Sequence, residues 1–232
     1  MAGSPTSPAV GRDEVDDLRG RYLDAVLAPD ARAARALVEA ACEAGLEPAR
    51  IYLEVLQPAL HDIGRRWEAA RISVAAEHLA TQITASVLAG LAGRLTLERG
   101  SGHGRRAIVS CSPGELHVLG GQMVADFLEA DGWDVLVLGA DTPADALARM
   151  AAEQDVALVA LSTALPAHLL AAGAACAALR RLAHPPFIVV GGQAFGGDER
   201  RALAVGADAY AGDPGALLAL VADRFADAPY AR

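Results

Sequence analysis

Cysteine, basic charge and long apolar runs are all scarce in this chain, and each scarcity removes a class of protein. Its three cysteines, Cys42, Cys111 and Cys176, lie far apart, show no close metal-binding spacing and would leave one unpaired if two were bridged. Neither a disulfide framework nor a cysteine metal cluster is expected, and a reducing, cytoplasmic setting suits them. Lysine and arginine number 20 against 29 aspartates and glutamates, for a formal charge of −9. Phosphate-binding surfaces gain affinity from the opposite balance, so no direct nucleic-acid binding is expected. No uninterrupted apolar run is long enough to span a bilayer, and MAGSPTSPAV has neither the basic start nor the apolar core of a signal peptide. A soluble protein without membrane association is the expectation. Catalytic signatures are missing too: there is no phosphate loop, no nucleophile with a partnered base and no redox dithiol, since Cys111 in SCSPG stands alone. The chain is therefore not expected to be an enzyme by itself.

What is present divides into two grammars. Residues 1–12 are rich in Ser, Pro and Gly and predict a disordered tail. From Asp13 the apolar period becomes helical, with Val15, Leu18, Tyr22, Val26 and Leu27 at three-to-four spacing. A second helix is predicted from an Asp30 cap to Gly45, and a third from Pro48, kinked by Pro58. A fourth, capped by Ser73, is expected to run to near Arg99, making a four-helix bundle over 13–99. A linker at 100–104 follows. Thereafter the short apolar runs RRAIVSCS, DVLVLG, VALVALST, PFIVVGG and ADAYAG alternate with amphipathic segments. Five strands alternating with helices over 105–232 predict an α/β fold with a doubly wound parallel sheet, because parallel neighbours need helical crossovers. Ligands of such sheets bind beyond the carboxyl ends of the strands.

Three clusters fall at those ends: Glu115-Leu116-His117-Val118-Leu119-Gly120, Ser162-Thr163-Ala164-Leu165 and Gly191-Gly192-Gln193. An imidazole in a loop can bind a metal through one nitrogen while a carboxylate fixes its tautomer through the other, and Glu115 is close enough to His117 for that. Glycines at 120, 191 and 192 would let a bulky ligand approach the backbone. Taken singly, Glu-x-His reads as a solvated surface pair, Gly-Gly as a turn and Ser162 as a hydroxyl satisfied by backbone, so the weight rests on the set.

That set resembles the cobalamin-binding pattern Asp-x-His-x-x-Gly, Ser-x-Leu, Gly-Gly shared by methionine synthase, some mutases and related corrinoid proteins, over roughly residues 105–225. The resemblance implies a flavodoxin-like, Rossmann-like fold and a bound cobalamin whose own base is displaced. It makes His117 the lower axial ligand of cobalt, sets Ser162 against the displaced base and lines the nucleotide tail with Gly191 and Gly192. Val118, Gly120, Thr163, Leu165 and Gln193 fall among the implied cofactor contacts. Two departures stand out: Glu115 replaces the usual Asp, and Ser-Thr-Ala replaces Ser-x-Leu.

The helical half holds Trp67 and, nine residues on, Glu77-His78. Trp67 could simply fill a core and Glu77-His78 could support a first helical turn, the commoner uses of such residues. Yet Trp-x9-Glu-His resembles the signature of the CarH and LitR photoreceptor family. There, by resemblance, Trp67 would pack over the upper face of adenosylcobalamin, with Glu77 and His78 receiving the adenosyl group. Green light would break the cobalt–carbon bond, and assembly state would change. Two departures qualify the likeness. The few residues ahead of the bundle lead to the expectation that a DNA-binding head of the MerR type is lacking and that output passes through a partner protein such as a transcription regulator. The residue after the Trp, a histidine in the best-known pattern, is Glu68, leaving His78 as the candidate upper ligand after adenosyl loss. A homo-oligomer is expected, and methylcobalamin or hydroxocobalamin are alternative cofactor forms. A corrinoid shuttle subunit of a methyltransferase system and a cobalamin store share the same lower half. His61, His103, His168 and His184 show no metal spacing and are assigned no role.

Overall fold

The computed structural model describes residues 11–95 and 104–226. Residues 1–10, most of the predicted tail, and 100–103, most of the predicted linker, lie outside the described residues, as does His103. The chain divides into two compact units between Thr96 and Leu97.

The first unit is helical. Helix α1 (Arg12–Leu27) buries Val15, Leu18, Tyr22, Ala25 and Val26, one face of a 3.6-residue period. Helix α2 (Ala31–Glu43) starts where the Asp30 carboxylate accepts the Ala33 N–H at 2.9 Å, as predicted from its residue type. A single turn α3 (Pro48–Arg50) opens on Pro48 and continues as a π-helical stretch over Ile51–Leu56 into α4 (Gln57–Glu68). Pro58 explains that stretch. It lacks an N–H and its ring crowds the carbonyl four residues back, so the preceding turn widens, and Gln57 donates instead to the Tyr52 carbonyl five residues back. Helix α5 (Val74–Leu91) begins at Ser73, whose hydroxyl accepts the Ala76 N–H at 3.2 Å. It stops at Leu91 and tightens into a 3-10 turn over Ala92–Arg94, short of the predicted end near Arg99. Gly90 and Gly93 bracket that change, and glycine is a poor helix former.

Tyr22 is fully buried and donates its phenol proton to Thr84 Oγ1 at 3.1 Å, while Thr84 donates to the Ala80 carbonyl. Burial pushes the Tyr22 phenol up to about 12, partly countered by that hydrogen bond. Tyr22→Phe is expected to destabilise the bundle by about 1 kcal/mol, the net worth of one buried hydrogen bond, as read by urea denaturation. An unchanged midpoint would mean that the α1–α5 tie contributes nothing.

The second unit is a five-stranded parallel sheet. Strands β1 (Arg106–Cys111), β2 (Asp134–Gly139), β3 (Leu158–Ser162), β4 (Phe187–Gly191) and β5 (Ala209–Ala211) lie in the order β2-β1-β3-β4-β5. This is the flavodoxin-like order, whose direction of winding reverses between β1 and β3. Between the strands run α6 (Leu119–Ala130), α7 (Ala144–Glu153), α8 (Leu169–Arg180) and α9 (Glu199–Ala204), with α10 (Pro214–Phe225) last. Ile108, Val159, Leu161, Ile188 and Val190 pack one face against α7, α8 and α9. Ala107, Val109, Leu158, Ala160, Val189 and Ala209 pack the other against α6 and α10. Burial on both faces is why these strands read as apolar runs rather than as alternations. No helix of the described residues is long and apolar enough to cross a membrane.

Candidate functional site

The sheet order brings all three predicted clusters to one edge. The last residues of the inner strands pair directly: Cys111 with Ser162, Ser162 with Gly191, and Gly191 with Ala211. Side chains alternate along a strand, so these four sit on the face that holds Val109, Ala160, Val189 and Ala209, the face covered by α6 and α10. They form a row of small side chains across four strands. Helix α6 comes in close beside it: a Cβ added at Gly120 would stand 3.6 Å from Ser162 Oγ, and one at Gly121 would stand 3.6 Å from Val109 Cγ1. A cavity of about 180 Å³ opens next to this corner, lined by Cys111, Val118, Gly121, Gln122, Val137 and Gly139 among others. A larger apolar groove of about 520 Å³ between α8 and α9, around Leu170 and Gly173, is lined by no ionisable side chain.

The loop after β1 carries the chemistry. Glu115 is buried, with no exposed surface, and five donors converge on its carboxylate. Oε1 accepts the backbone N–H of His117 at 3.0 Å and faces His117 Nδ1 at 2.5 Å. Oε2 accepts the N–H groups of Ala164 at 2.9 Å and Leu165 at 3.0 Å, and faces Nδ1 of His168 at 3.0 Å. Burial alone would raise the carboxyl's pKa. The bonds from His117, His168 and the Leu165 and His117 amides outweigh it and hold Glu115 well below the usual carboxylate range, hence ionised. An ionised carboxylate only accepts, so His117 donates from Nδ1. The His117 side chain is 49% exposed.

Neighbouring loops fix this one in place. Asp141, after β2, accepts the Gly114 N–H at 2.7 Å and donates its own N–H to the Glu115 carbonyl at 3.1 Å. Ser112 and Thr163 share a buried hydrogen bond of 2.7 Å between their hydroxyls. Thr163 is thus fully buried and bonded within the protein, and its side chain offers a ligand no surface. The Gly-Gly pair at the end of β4 likewise serves the protein's own backbone: a Cβ at Gly191 would stand 2.5 Å from the Ala211 carbonyl oxygen, and one at Gly192 would stand 2.2 Å from that of Thr163. Gln193 is exposed at the start of the following turn, Leu165 is half-buried, and Val118 is exposed beside His117. Burial pushes the Cys111 thiol up to about 11, with Glu115 adding to the shift, so the thiol stays protonated and does not compete as a ligand. His168 and Asp141 were not legible from motif spacing. The usable signal was topological, since each follows a strand adjacent to β1.

In the helical unit, Trp67 near the end of α4 and Glu77-His78 in the first turn of α5 flank the bend at 69–73. Trp67 is 39% exposed, unusual for a large aromatic in a bundle, and Val74 and Leu79 are exposed as well. Glu77 is mostly buried; it accepts from Thr81 Oγ1 at 2.9 Å and lies 3.6 Å from His78 Nε2. The His78 side chain is 73% exposed, and Glu68 is exposed. Among the described residues no group of three or more His, Cys, Asp or Glu is gathered to hold a free metal ion.

Family models decide the assignment: one described as a B12 binding domain matches residues 105–220, and a second of the same description matches residues 18–91. The chain belongs to the B12-binding family. Cobalamin binding is what the models of its two halves have in common. This B12-binding protein is 36% identical over 120 residues to the HTH-type transcriptional repressor CarH of Myxococcus xanthus, covering 52% of this chain and 39% of that one. It is 28% identical over 130 residues to monomethylamine corrinoid protein 2 of Methanosarcina mazei, covering 54% and 58%. The chain thus spans roughly half the length of these curated relatives. Its fold is that of the monomethylamine corrinoid protein of Methanosarcina barkeri, with a TM-score of 0.79 at 20% identity over 90% of this chain and 99% of that one.

Proposed function

We propose that this protein is an adenosylcobalamin-dependent, light-responsive sensor in which His117 is the lower axial ligand of cobalt. The observation that carries the reading is the Glu115–His117 pair at the point where the sheet reverses, with Nδ1 held by a buried carboxylate, the imidazole half-exposed, and a row of small side chains at the same sheet edge. Bound adenosylcobalamin supplies a cobalt–carbon bond weak enough for green light to break. The protein's part is to position and to respond. Glu115 orients His117, while Ser162, Gly120 and the row running to Gly191 leave room for a displaced nucleotide base and tail. Gly192, Gln193, Val118, Leu165 and the Thr163 backbone border that space. Trp67 and Glu77 are assigned to the adenosyl side, and His78 is the histidine available once adenosyl has left, since Glu68 supplies no imidazole. The exposure of Trp67, a large aromatic at the bundle surface, supports that assignment. Similarity to a transcriptional repressor supports a regulatory output, which we assign to a change of self-assembly passed to a protein partner in the cytoplasm.

A second reading has its own support. Likeness to a monomethylamine corrinoid protein over nearly the whole chain favours a carrier that holds a methyl group on cobalt between two methyltransferases. One set of spectra separates the two. The sensor reading expects a stable dark complex with adenosylcobalamin whose absorbance and elution volume both change after green light, and His117→Ala should lose the spectrum of the histidine-bound form. Binding that ignores His117→Ala would overturn the ligand assignment. Light-stable binding of methylcobalamin with methyl transfer would establish the carrier.

A further inference from the structure

Helices α8 and α9 lie on the sheet face that holds Ile108, Val159 and Ile188, and between them runs the groove of about 520 Å³. Its walls are Leu169, Leu170 and Ala174 of α8 and Ala204 and Val205 at the end of α9, with bare backbone at Gly173. A water-facing helix normally turns charged or polar residues outward. Helix α7, on the same face of the sheet, does so with Asp145, Arg149 and Glu153. The outward positions of α8 are instead Leu170, Ala174 and Ala177, and no charged side chain occurs from Leu169 to Leu179. Leu170 stands 88% exposed. The inward positions Ala172, Ala175, Cys176 and Leu179 already fill the core, so the outward stripe is a second apolar face on one helix.

Positive charge borders that stripe. It continues to Arg181, four residues past Ala177, and Arg200 lies one turn before Ala204 on the α9 wall. Neither guanidinium has an acidic partner among the described residues, whereas Arg180 is paired with Asp208 and Arg201 with Asp198. Glu199 is five residues from Ala204 and so falls on another side of α9. Size and charge together select an occupant. A stable dimer face takes about 20–30 residues a side, far more than wall this groove, and two copies meeting here symmetrically would bring like charges together. A single amphipathic helix needs only anchors one and two turns apart, which is the length that Leu170 to Ala177 offers.

We propose that the groove between α8 and α9 docks an amphipathic helix of a partner protein, with its aliphatic ridge on Leu170, Gly173 and Ala174 and its acidic flank towards Arg181 and Arg200. The proposal concerns this surface alone and stands whichever ligand His117 takes.

Two synthetic helical peptides with the same leucine ridge test it, one flanked by glutamates and the other by lysines, each titrated into the isotope-labelled full chain. The acidic peptide is expected to shift the amide resonances of Leu170, Gly173, Ala174 and Ala204, and to bind about tenfold more tightly than the basic one at low salt. Leu170→Ser should weaken it by about tenfold, as loss of a central anchor does. Arg181→Glu combined with Arg200→Glu should reverse the preference between the peptides. Should Leu170→Ser melt early, Ala174→Glu, which sets a charge on the exposed groove wall, takes its place with the same expectation. Equal binding of the two peptides, or no shift of those amides by the acidic peptide at millimolar concentration, overturns the proposal. So does a dimer, seen by sizing, that Leu170→Ser dissociates, because the groove then belongs to a second copy of the chain.

Discussion

Glu115→Ala is expected to cost the second unit about 3–5 kcal/mol and to release both histidines from their fixed orientations. The carboxylate is the common acceptor for the N–H groups of His117, Ala164 and Leu165 and for two imidazole rings, all drawn from loops after β1 and β3. A buried donor left without a partner costs about 1–3 kcal/mol, and water admitted at the half-exposed His117 offsets part of the sum. Glu115→Gln keeps the shape but turns an NH₂ towards donors, and should cost about 2–4 kcal/mol. Acid separates charge from shape. Because the folded state holds the Glu115 carboxyl below its ordinary value of about 4.3, its contribution is complete above that pH and is lost as pH falls towards the folded value. Urea denaturation at a series of pH values should therefore show the wild type losing stability faster than Glu115→Gln below about pH 4. Exposed carboxylates titrate equally in both proteins and cancel in the difference. Parallel curves would show that Glu115 is not the ionised centre of this loop.

Much of the scaffold was legible because it is set by local chemistry and period. Asp30 and Ser73 cap helices because their oxygens reach the third backbone N–H onward, and both do so. The five apolar runs became five parallel strands because a strand buried on both faces has no polar side to show. What the sequence hid depended on neighbours distant along the chain. The π-wound stretch before Pro58 is one solution to a missing donor among several, and the residue type does not choose between them. Thr163 sat inside a plausible contact motif, yet its hydroxyl faces Ser112 because β1 and β3 are adjacent. His168 was set aside for lacking metal-ligand spacing, although its partner is a carboxylate fifty-odd residues upstream. Spacing rules detect groups that meet a common ion; they are blind to a residue whose partner is a buried carboxylate of another loop.

The glycines of the site show how similar residues answer to different demands, and Gly192→Ala should have the other large effect. Gly192 has φ +107, which L side chains rarely adopt, and its Cβ would fall 2.2 Å from the Thr163 carbonyl oxygen and 2.8 Å from the carbonyl carbon. Backbone strain of about 1–3 kcal/mol and a clash of similar size add to about 3–5 kcal/mol. A domain stable by about 5–15 kcal/mol can lose half its margin that way. The damage also reaches the loop after β1, since Thr163 precedes the Ala164 N–H that Glu115 accepts, so Gly192→Ala should melt early and also disorder His117. Gly120→Ala is the opposite case. Its Cβ would meet Ser162 Oγ at 3.6 Å, an ordinary contact, and alanine in a helix is favoured over glycine by up to about 1 kcal/mol. Thermal melting should find Gly120→Ala as stable as the wild type or more so, while titration with cobalamin finds its affinity reduced, because the added methyl fills space beside Ser162. If Gly120→Ala binds cobalamin unchanged, the displaced base does not lie between Ser162 and the start of α6.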